Sequence, residues 1–321
     1  MKQLLFLSTL AFALMACSSH SDDPQPEPGA PVEIRLAADL SGTTRAYPTQ
    51  GTVIEAGQTV YVWLDDVGDA TADPVIPASE HVKAWTLTAV APVAPATAGT
   101  LTSPNKHYFP ASGRTVNAYA VHGNFATAPT EDVTSWDTFV TGLQHSVNTD
   151  QSTTANYCVS DLLYAQNTNI ARDNTVKLLP FSHLLSKIDV ELVPGNGITT
   201  PDLAGATVKI LNTLPTADVT LSKTAAPSVA VDATVAAASI AMLMDGTKGE
   251  AIVIPQTLTN KQLIEVTLPT VNRTLYTAPS GYTFAPNTKY SYTITVNARD
   301  LEMAQQITDW SAGSNTAVDV Y

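Results

Sequence analysis

Short segments in which apolar and polar residues alternate recur along almost the whole chain, and they restrict its possible folds more than any other feature. The first of them, VEIRLAADL at residues 32–40, has an apolar side chain at every second position. A period of two is the pattern of a β-strand with one buried face. Gly, Pro, Asn and Asp separate such segments, as expected for turns. The sequence therefore predicts an all-β fold with few short helices.

Two stretches leave their secondary structure open. TSWDTFVTGL, residues 134–143, fits a short helix, and SVAVDATVAAASIAMLM, residues 228–244, is rich enough in alanine to be helical or to hold a pair of strands. Periodicity alone does not distinguish these alternatives. The chain has no repeat of fixed period, which disfavours solenoids and propellers.

The length of the chain favours two domains. Its 321 residues with 44% hydrophobic content suffice for two ordinary cores. A boundary is predicted near Leu184, in the stretch LLPFSHLLSKIDVEL, where a turn-rich region gives way to closely spaced strands. The expected architecture is two β-sandwich domains in tandem, residues 32–184 and 185–321.

The first residues predict export. A positive start at Lys2 and an apolar run from Leu4 to Leu14 are typical of a secretory signal, and the run is too short to span a bilayer. The ending LMAC resembles a bacterial lipobox, which implies a signal peptide over residues 1–17 and lipid on Cys17. An ordinary signal peptide without lipid is the alternative. The proline-rich residues 18–31 are predicted to be a tether.

Composition and motifs give no support for an enzyme or a cofactor. The net charge of −13 comes with only 14% charged residues, so no basic surface is predicted for nucleic acid. The six histidines lack the spacing that places two imidazoles on one helix face for zinc, and no nucleophile elbow, P-loop or dinucleotide fingerprint occurs. The chain has one other cysteine, Cys158, in an apolar setting that predicts a buried, inert thiol.

Two further groups of residues could have either a functional or a structural role. The loop at residues 65–73 holds Asp65, Asp66, Asp69 and Asp73, which could bind calcium or simply face water. The tryptophans could stack on sugars or pack in the core; they are Trp63, Trp85, Trp136 and Trp310. A pair of carboxylates for glycoside hydrolysis is a third possibility, but no spacing nominates the pair.

Several motifs occur in an order that resembles a known family. They are KHYFPASGRTVNAYAVHG, SDLLYAQ, LPFSHLLSKIDVEL, EAIVIPQT, and YTFAPNTKYSYTITV followed by ITDW. With the lipobox and Arg45, they cover nearly the whole chain and resemble the fimbrillin family of Bacteroides-type bacteria, in its Mfa-like branch. The resemblance implies two transthyretin-like β-sandwich domains, export as a lipoprotein, and cleavage by an outer-membrane arginine-specific protease after the first strand.

On this chain the implied cut falls between Arg45 and Ala46 and releases the strand at residues 32–40. Its large apolar side chains are Val32, Ile34, Leu36 and Leu40. Burying them is worth about 1.5–3 kcal/mol each, or roughly 6–12 kcal/mol as an upper bound. A groove left by this strand needs a replacement, and β-augmentation by another subunit supplies one. The donor candidate is residues 304–321, both of whose strand-like pieces are expected to insert. Its apolar residues are Ile307, Trp310, Val318 and Val320.

These features together predict a structural pilin of a type V-like fimbria on the cell surface that serves adhesion. Its expected partners are other pilin subunits, related or identical, joined head to tail, the arginine-specific protease, the outer membrane before processing, and a receptor on a host or bacterial surface. The alternative is a glycan-binding lipoprotein that stays anchored and unpolymerised. That alternative expects Arg45 to remain uncut and Trp63 or Trp85 to be exposed on a flat face.

Overall fold

The computed structural model describes residues 30–40, 54–66, 84–91, 98–129, 135–310 and 318–319. Strands dominate these residues, which confirms the all-β fold class. The helices of the described residues are α1 (Trp136–Val140), α2 (Thr154–Val159) and a 3-10 turn (Thr200–Leu203). None of the helices in this part of the chain has the length and apolar character needed to cross a membrane.

The strands are, in chain order, β1 (Leu36–Asp39), β2 (Thr59–Asp66), β3 (Ala84–Ala89), β4 (Gly99–Thr102), β5 (Val116–His122), β6 (Gln144–Ser146), β7 (Leu163–Ile170), β8 (Lys177–His183), β9 (Ser186–Pro194), β10 (Thr207–Thr213), β11 (Thr216–Thr220), β12 (Ser228–Val231), β13 (Ala238–Ala241), β14 (Leu243–Asp245), β15 (Lys248–Val253), β16 (Thr257–Lys261), β17 (Ile264–Leu268), β18 (Arg273–Tyr276), β19 (Ser280–Thr283), β20 (Thr288–Val296), β21 (Leu301–Asp309) and β22 (Val318–Asp319).

The first part of the chain folds into a closed barrel with the strand order β1-β4-β3-β2-β5-β7-β8. Strand β1 closes it, since it pairs antiparallel with β4 on one side and parallel with β8 on the other. The side chains that alternate inward along these strands form one hydrophobic cluster, whose members all lie between Val32 and Phe181. The barrel therefore depends on β1 for its closure as well as for part of its core.

The second part of the chain is built around a larger sheet with the order β14-β15-β9-β20-β21-β22 and a four-stranded sheet with the order β13-β10-β17-β18. A second cluster of buried apolar residues joins them and extends from Trp63 to Trp310 in the sequence. Since Trp63 and Tyr119 belong to this cluster, side chains of barrel strands also contribute to the second core. The domain boundary near Leu184 remains a prediction.

The two stretches whose secondary structure periodicity did not decide have different structures. Residues 134–143 contain the short helix α1, of which Phe139 is buried. The alanine-rich stretch holds no helix and instead contributes to β12, β13 and β14. Strand β12 pairs with β11, and β13 pairs with β10, so tertiary pairing outweighs the helix propensity of alanine here.

Candidate functional site

The strand predicted to be released is deeply buried. Val32 is 2% exposed, and Ile34, Leu36 and Leu40 are each 1% exposed. All four belong to the barrel cluster. The alternation in the sequence therefore predicts the buried face of this strand correctly, while Arg35 between them is exposed. Displacement of this strand remains a prediction.

Backbone hydrogen bonds hold this segment on both sides. Toward β4, Leu36 pairs with Leu101, and Ala38 pairs with Gly99. Farther toward the N-terminus, Ile34 N donates to His107 O at 2.8 Å. Toward β8, the register runs in parallel from Leu36 opposite Lys177 to Asp39 opposite Pro180. Loss of this segment would leave β4 and β8 as facing edges with unpaired backbone groups.

The residues assigned to lipidation and cleavage, Cys17, Arg45 and Ala46, lie outside the described residues. Leu40 is the last described residue before Arg45, and the next described segment begins at Ile54. The cut predicted at Arg45 would thus fall shortly after the strand that closes the barrel. Lipidation and cleavage remain predictions.

The first half of the predicted donor segment lies in the chain's own sheet. Residues Leu301–Asp309 form β21, which pairs along its whole length with β20, and Ile307 lies opposite Tyr290. On the other edge of β21, Ile307 pairs with Val318 of β22. Val320 lies outside the described residues. Insertion of Ile307 into a neighbour would require the chain to give up the pairing of β21 with β20.

Trp310 is anchored at the end of β21 by a buried stack. Its indole lies parallel to the His183 imidazole, with ring centroids 3.7 Å apart and an interplanar angle of 7°. His183 Nδ1 in turn lies 2.7 Å from Asp161 Oδ2, and both of these side chains are buried. Trp310 N also donates to Asn287 O at 2.9 Å. These contacts fix the point from which residues 311–321 continue.

Sequence reasoning did not find this anchor. His183 ends β8, Asp161 follows α2, and Trp310 follows β21, so the three residues meet only in the folded chain. The one sequence signal was the histidine of LPFSHLLSKIDVEL together with the tryptophan of ITDW, both within the motifs that carry the family resemblance.

The aspartate loop is partly described. Asp65 and Asp66 end β2, whereas Asp69 and Asp73 lie outside the described residues. The Asp65 carboxylate is 2.7 Å from Lys223 Nζ in an ion pair. Among the described residues, no group of three or more His, Cys, Asp or Glu side chains is arranged to hold a metal ion. Calcium binding at this loop remains untested, and one of its candidate carboxylates is already paired.

The tryptophans do not form an open platform in the described part of the chain. Trp63 is 2% exposed, while Trp85 and Trp310 are each 4% exposed. Trp136 is half-buried and packs edge-on against Trp63, and Lys223 Nζ lies 5.3 Å from the ring centroid of each. The expectation of an exposed Trp63 or Trp85 is therefore wrong, which counts against the anchored glycan-binding alternative.

The described histidines and Cys158 are structural groups. Burial lowers the pKa of His107 to about 4 and that of His145 to about 4, and it also lowers the pKa of His122. Burial likewise raises the pKa of the Cys158 thiol to about 12, in agreement with the prediction of an inert side chain. His107, His122 and His145 therefore stay neutral, and the Cys158 thiol stays protonated, throughout the neutral pH range.

Comparison with known proteins is consistent with this architecture. A candidate fimbrium subunit of Bacteroides uniformis, Fim1C, is 32% identical over 146 residues, which cover 42% of this chain and 45% of the relative. The match thus spans less than half of that relative's length. A solved structure of a candidate cell adhesion protein from Bacteroides uniformis superposes with a TM-score of 0.61 at 23% identity, covering 89% of this chain and 100% of the other.

A similar protein from Bacteroides ovatus gives a TM-score of 0.56 at 16% identity over 90% of this chain and 100% of the other. At 23% and 16% sequence identity, these two structural similarities show only that the chains share a fold. The sequence profile of the family described as fimbrillin-like matches residues 44–310, in agreement with the resemblance to the Mfa-like branch. The profile covers most of the chain, and the chain therefore belongs to the fimbrillin-like family, a family of structural fimbrial subunits and not of enzymes.

Proposed function

We propose that this chain is a pilin subunit that is exported as a lipoprotein through Cys17, cut between Arg45 and Ala46, and polymerised by donor-strand exchange into a surface fimbrium that serves adhesion. The observation that carries the proposal is the position of β1. It is the strand that closes the barrel, it pairs at both edges, and it immediately precedes the proposed cut.

A cut at this position would separate two functions of the N-terminal segment. Before the cut, residues 32–40 complete the barrel while the lipid on Cys17 holds the chain on the outer membrane. After the cut, β1 is joined to the barrel only by noncovalent contacts, so a competing strand can replace it. The replacement must bring apolar side chains at alternate positions, because Val32, Ile34, Leu36 and Leu40 fill the barrel core in this way.

The structure leads us to narrow the donor to residues 311–321. Residues 304–310 belong to β21 and to the Trp310 anchor, so they stay with their own subunit. By contrast, among the described residues β22 pairs with β21 at two positions, Gln306 with Asp319 and Ile307 with Val318. Release of these two described residues from the sheet edge breaks fewer backbone pairs than release of β21, which pairs along its whole length with β20. Insertion of the donor into another copy is heterologous and does not close, so repetition gives a filament.

The proposal is tested by limited proteolysis of the chain without its signal peptide. An arginine-specific protease is expected to cut after Arg45, as read by mass spectrometry, and the product is expected to form ladders that resist SDS. The matched control is Arg45→Ala, which should stay uncut at this site and monomeric. A cut product that remains monomeric with residues 32–40 still bound would overturn strand exchange, and glycan arrays would then test the anchored binding alternative.

A second test removes the proposed donor without touching β21. A chain that lacks residues 311–321 should be cut normally and keep an intact acceptor groove, yet form no ladders by itself. Mixed with the full chain, it should shorten the ladders, because it accepts a strand but donates none. Val318→Asp should also stop growth, whereas Asp319→Asn, on the opposite face of the same strand, should not. Normal ladders from the shortened chain would place the donor elsewhere.

A further inference from the structure

The ladder between β1 and its neighbour on the β4 side is interrupted. Leu36 pairs with Leu101, and two residues earlier Ile34 N bonds to His107 O, so residues 102–106 leave the ladder between these points. The interruption opens into a cavity of about 310 Å³. Its lining is formed by residues 33–36 and 100–103 together with Trp85 and Val176.

The same stretch of the strand is weakly held on its other side. The first hydrogen bond toward β8 is the one from Lys177 N to Arg35 O, at 2.8 Å. Before Arg35, the backbone partners among the described residues lie on the side of residues 107–109, and the loop before β8 adds one side-chain contact, from the Arg172 guanidinium to Ala30 O. From Leu36 onward, the strand is paired on both sides. Residues 33–35 are therefore the part of this segment that a competing strand can approach without first breaking a ladder.

The cavity offers apolar walls and a rim that carries a cation. Ile34, Leu36 and Leu101 line it together with Trp85, and all four are buried. Trp85 also packs against His107 at a centroid distance of 4.5 Å, and neither ring nitrogen of His107 has a hydrogen-bond partner among the described residues. A buried polar ring without partners weakens the packing beneath this stretch.

The rim adds exposed apolar surface and charge. Val176 is 42% exposed and Leu178, further along β8, is 48% exposed. Arg35 is exposed and forms no ion pair with any described residue, whereas the neighbouring Glu33 is paired with Lys106 at 3.0 Å. An incoming segment with small apolar side chains and one acidic residue would complement this surface.

We infer that this cavity is the entry site at which the segment around Val318 of a second copy docks before β1 leaves. The inference rests on the proposed strand exchange and adds where the exchange begins. Val318 and Val320 would supply the small apolar side chains, and Asp319 between them would lie on the outward face, toward Arg35. Docking beside residues 33–35 lets the new strand pair while Leu36–Asp39 still closes the barrel, so that the barrel is never fully open.

Filling the cavity tests the entry site. Thr102→Trp places a large side chain at an exposed position of the lining, and the matched control Thr274→Trp makes the same change at an exposed position of β18. After cleavage, Thr102→Trp is expected to form ladders about tenfold more slowly than the control, because association rates within one interface vary by roughly one to three decades. Thermal unfolding of the uncut variants shows whether both are folded.

A capture experiment separates docking from exchange. The acceptor carries Arg45→Ala, which keeps β1 in place, and Ser103→Cys, while the donor is the cleaved chain with Val318→Cys. A disulfide-linked pair is expected under mild oxidation, and an Arg45→Ala acceptor with Thr274→Cys instead should give none.

The outcomes distinguish the two proposals. Normal ladder rates from Thr102→Trp, or absence of the disulfide-linked pair while the unaltered chain polymerises, would overturn the entry site and leave the proposed function intact. Failure of the unaltered cleaved chain to polymerise at all would overturn both.

Discussion

Loss of the folded barrel is the expected result when residues 1–45 are removed and no donor strand is supplied. A chain that starts at Ala46 lacks Val32, Ile34, Leu36 and Leu40, all of them buried in the barrel core. The lost burial amounts to roughly 6–12 kcal/mol as an upper bound. Since a typical domain is stable by about 5–15 kcal/mol, the barrel should unfold or aggregate.

Hydrogen exchange provides the measurement, because it resolves the two cores. Amides of β4 and β8 should lose protection in the chain that starts at Ala46, whereas those of β9 and β20, which pair with each other along the second sheet, should keep it. A synthetic peptide VEIRLAADL added in trans should restore protection to β4 and β8. The same peptide with Ile34→Asp should fail, because it would bury a charge in the barrel core.

The control for this experiment is the chain from residue 30 with Arg45→Ala, which retains β1 and should be fully protected. Unchanged protection of β4 and β8 in the shorter chain would mean that the barrel does not need its closing strand. In that event the physical basis of the proposed exchange would be lost, because an intact barrel leaves no groove for a donor.

Lys187→Met is expected to destabilise the second core by about 3–5 kcal/mol, since it removes one partner of a buried charge pair. Lys187 Nζ lies 3.1 Å from Glu250 Oε2 and 3.4 Å from Asp189 Oδ1, and the Lys187 and Glu250 side chains are 7% and 3% exposed. Without the ammonium group, Glu250 would be buried as an unpaired carboxylate. Urea unfolding at pH 7 measures the loss.

Two further variants identify the cause of that loss. Glu250→Gln in the Lys187→Met chain should recover much of the stability, because it removes the unpaired charge. Lys209→Met breaks a pair with Glu265 in which the lysine side chain is 46% exposed, and it should cost less than about 1 kcal/mol. Equal losses from Lys187→Met and Lys209→Met would show that burial of the pair has no energetic importance.

The pH dependence of the buried pair follows from its proton binding. Burial raises the pKa of Glu250 above its ordinary value of 4.5, with Asp189 adding to the rise and Lys187 opposing it. The Glu250 carboxyl group therefore binds its proton more tightly in the folded chain than in the unfolded chain. Protonated Glu250 stabilises the folded chain below pH 4.5, and this stabilisation is lost as the pH rises through the raised pKa. Without Lys187 the opposing effect is gone, so the Lys187→Met chain should regain stability as the pH falls from 7 to about 4.5. A penalty independent of pH would contradict this assignment.

Local pattern was sufficient for the elements and their buried faces. The alternation in residues 32–40 predicts the face that enters the core, since successive side chains of a strand point to opposite sides whatever the strand pairs with. The same reasoning predicts the all-β class and a buried Cys158. It was insufficient for the alanine-rich residues 228–244, where strand pairing with β10 and β11 decided the outcome.

The local sequence pattern did not predict which segments, distant in the sequence, pair with each other. Nothing in VEIRLAADL shows that its neighbours are β4 and β8, or that residues 102–106 leave the ladder beside it. Nor does ITDW show that Trp310 stacks on His183 at the end of β21, an observation on which we base the proposal of a shorter donor. The sequence alone thus determined which side chains are apolar and with what period. Only the tertiary structure decided which strands meet, because pairing depends on chain closure and side-chain packing between segments that periodicity does not relate.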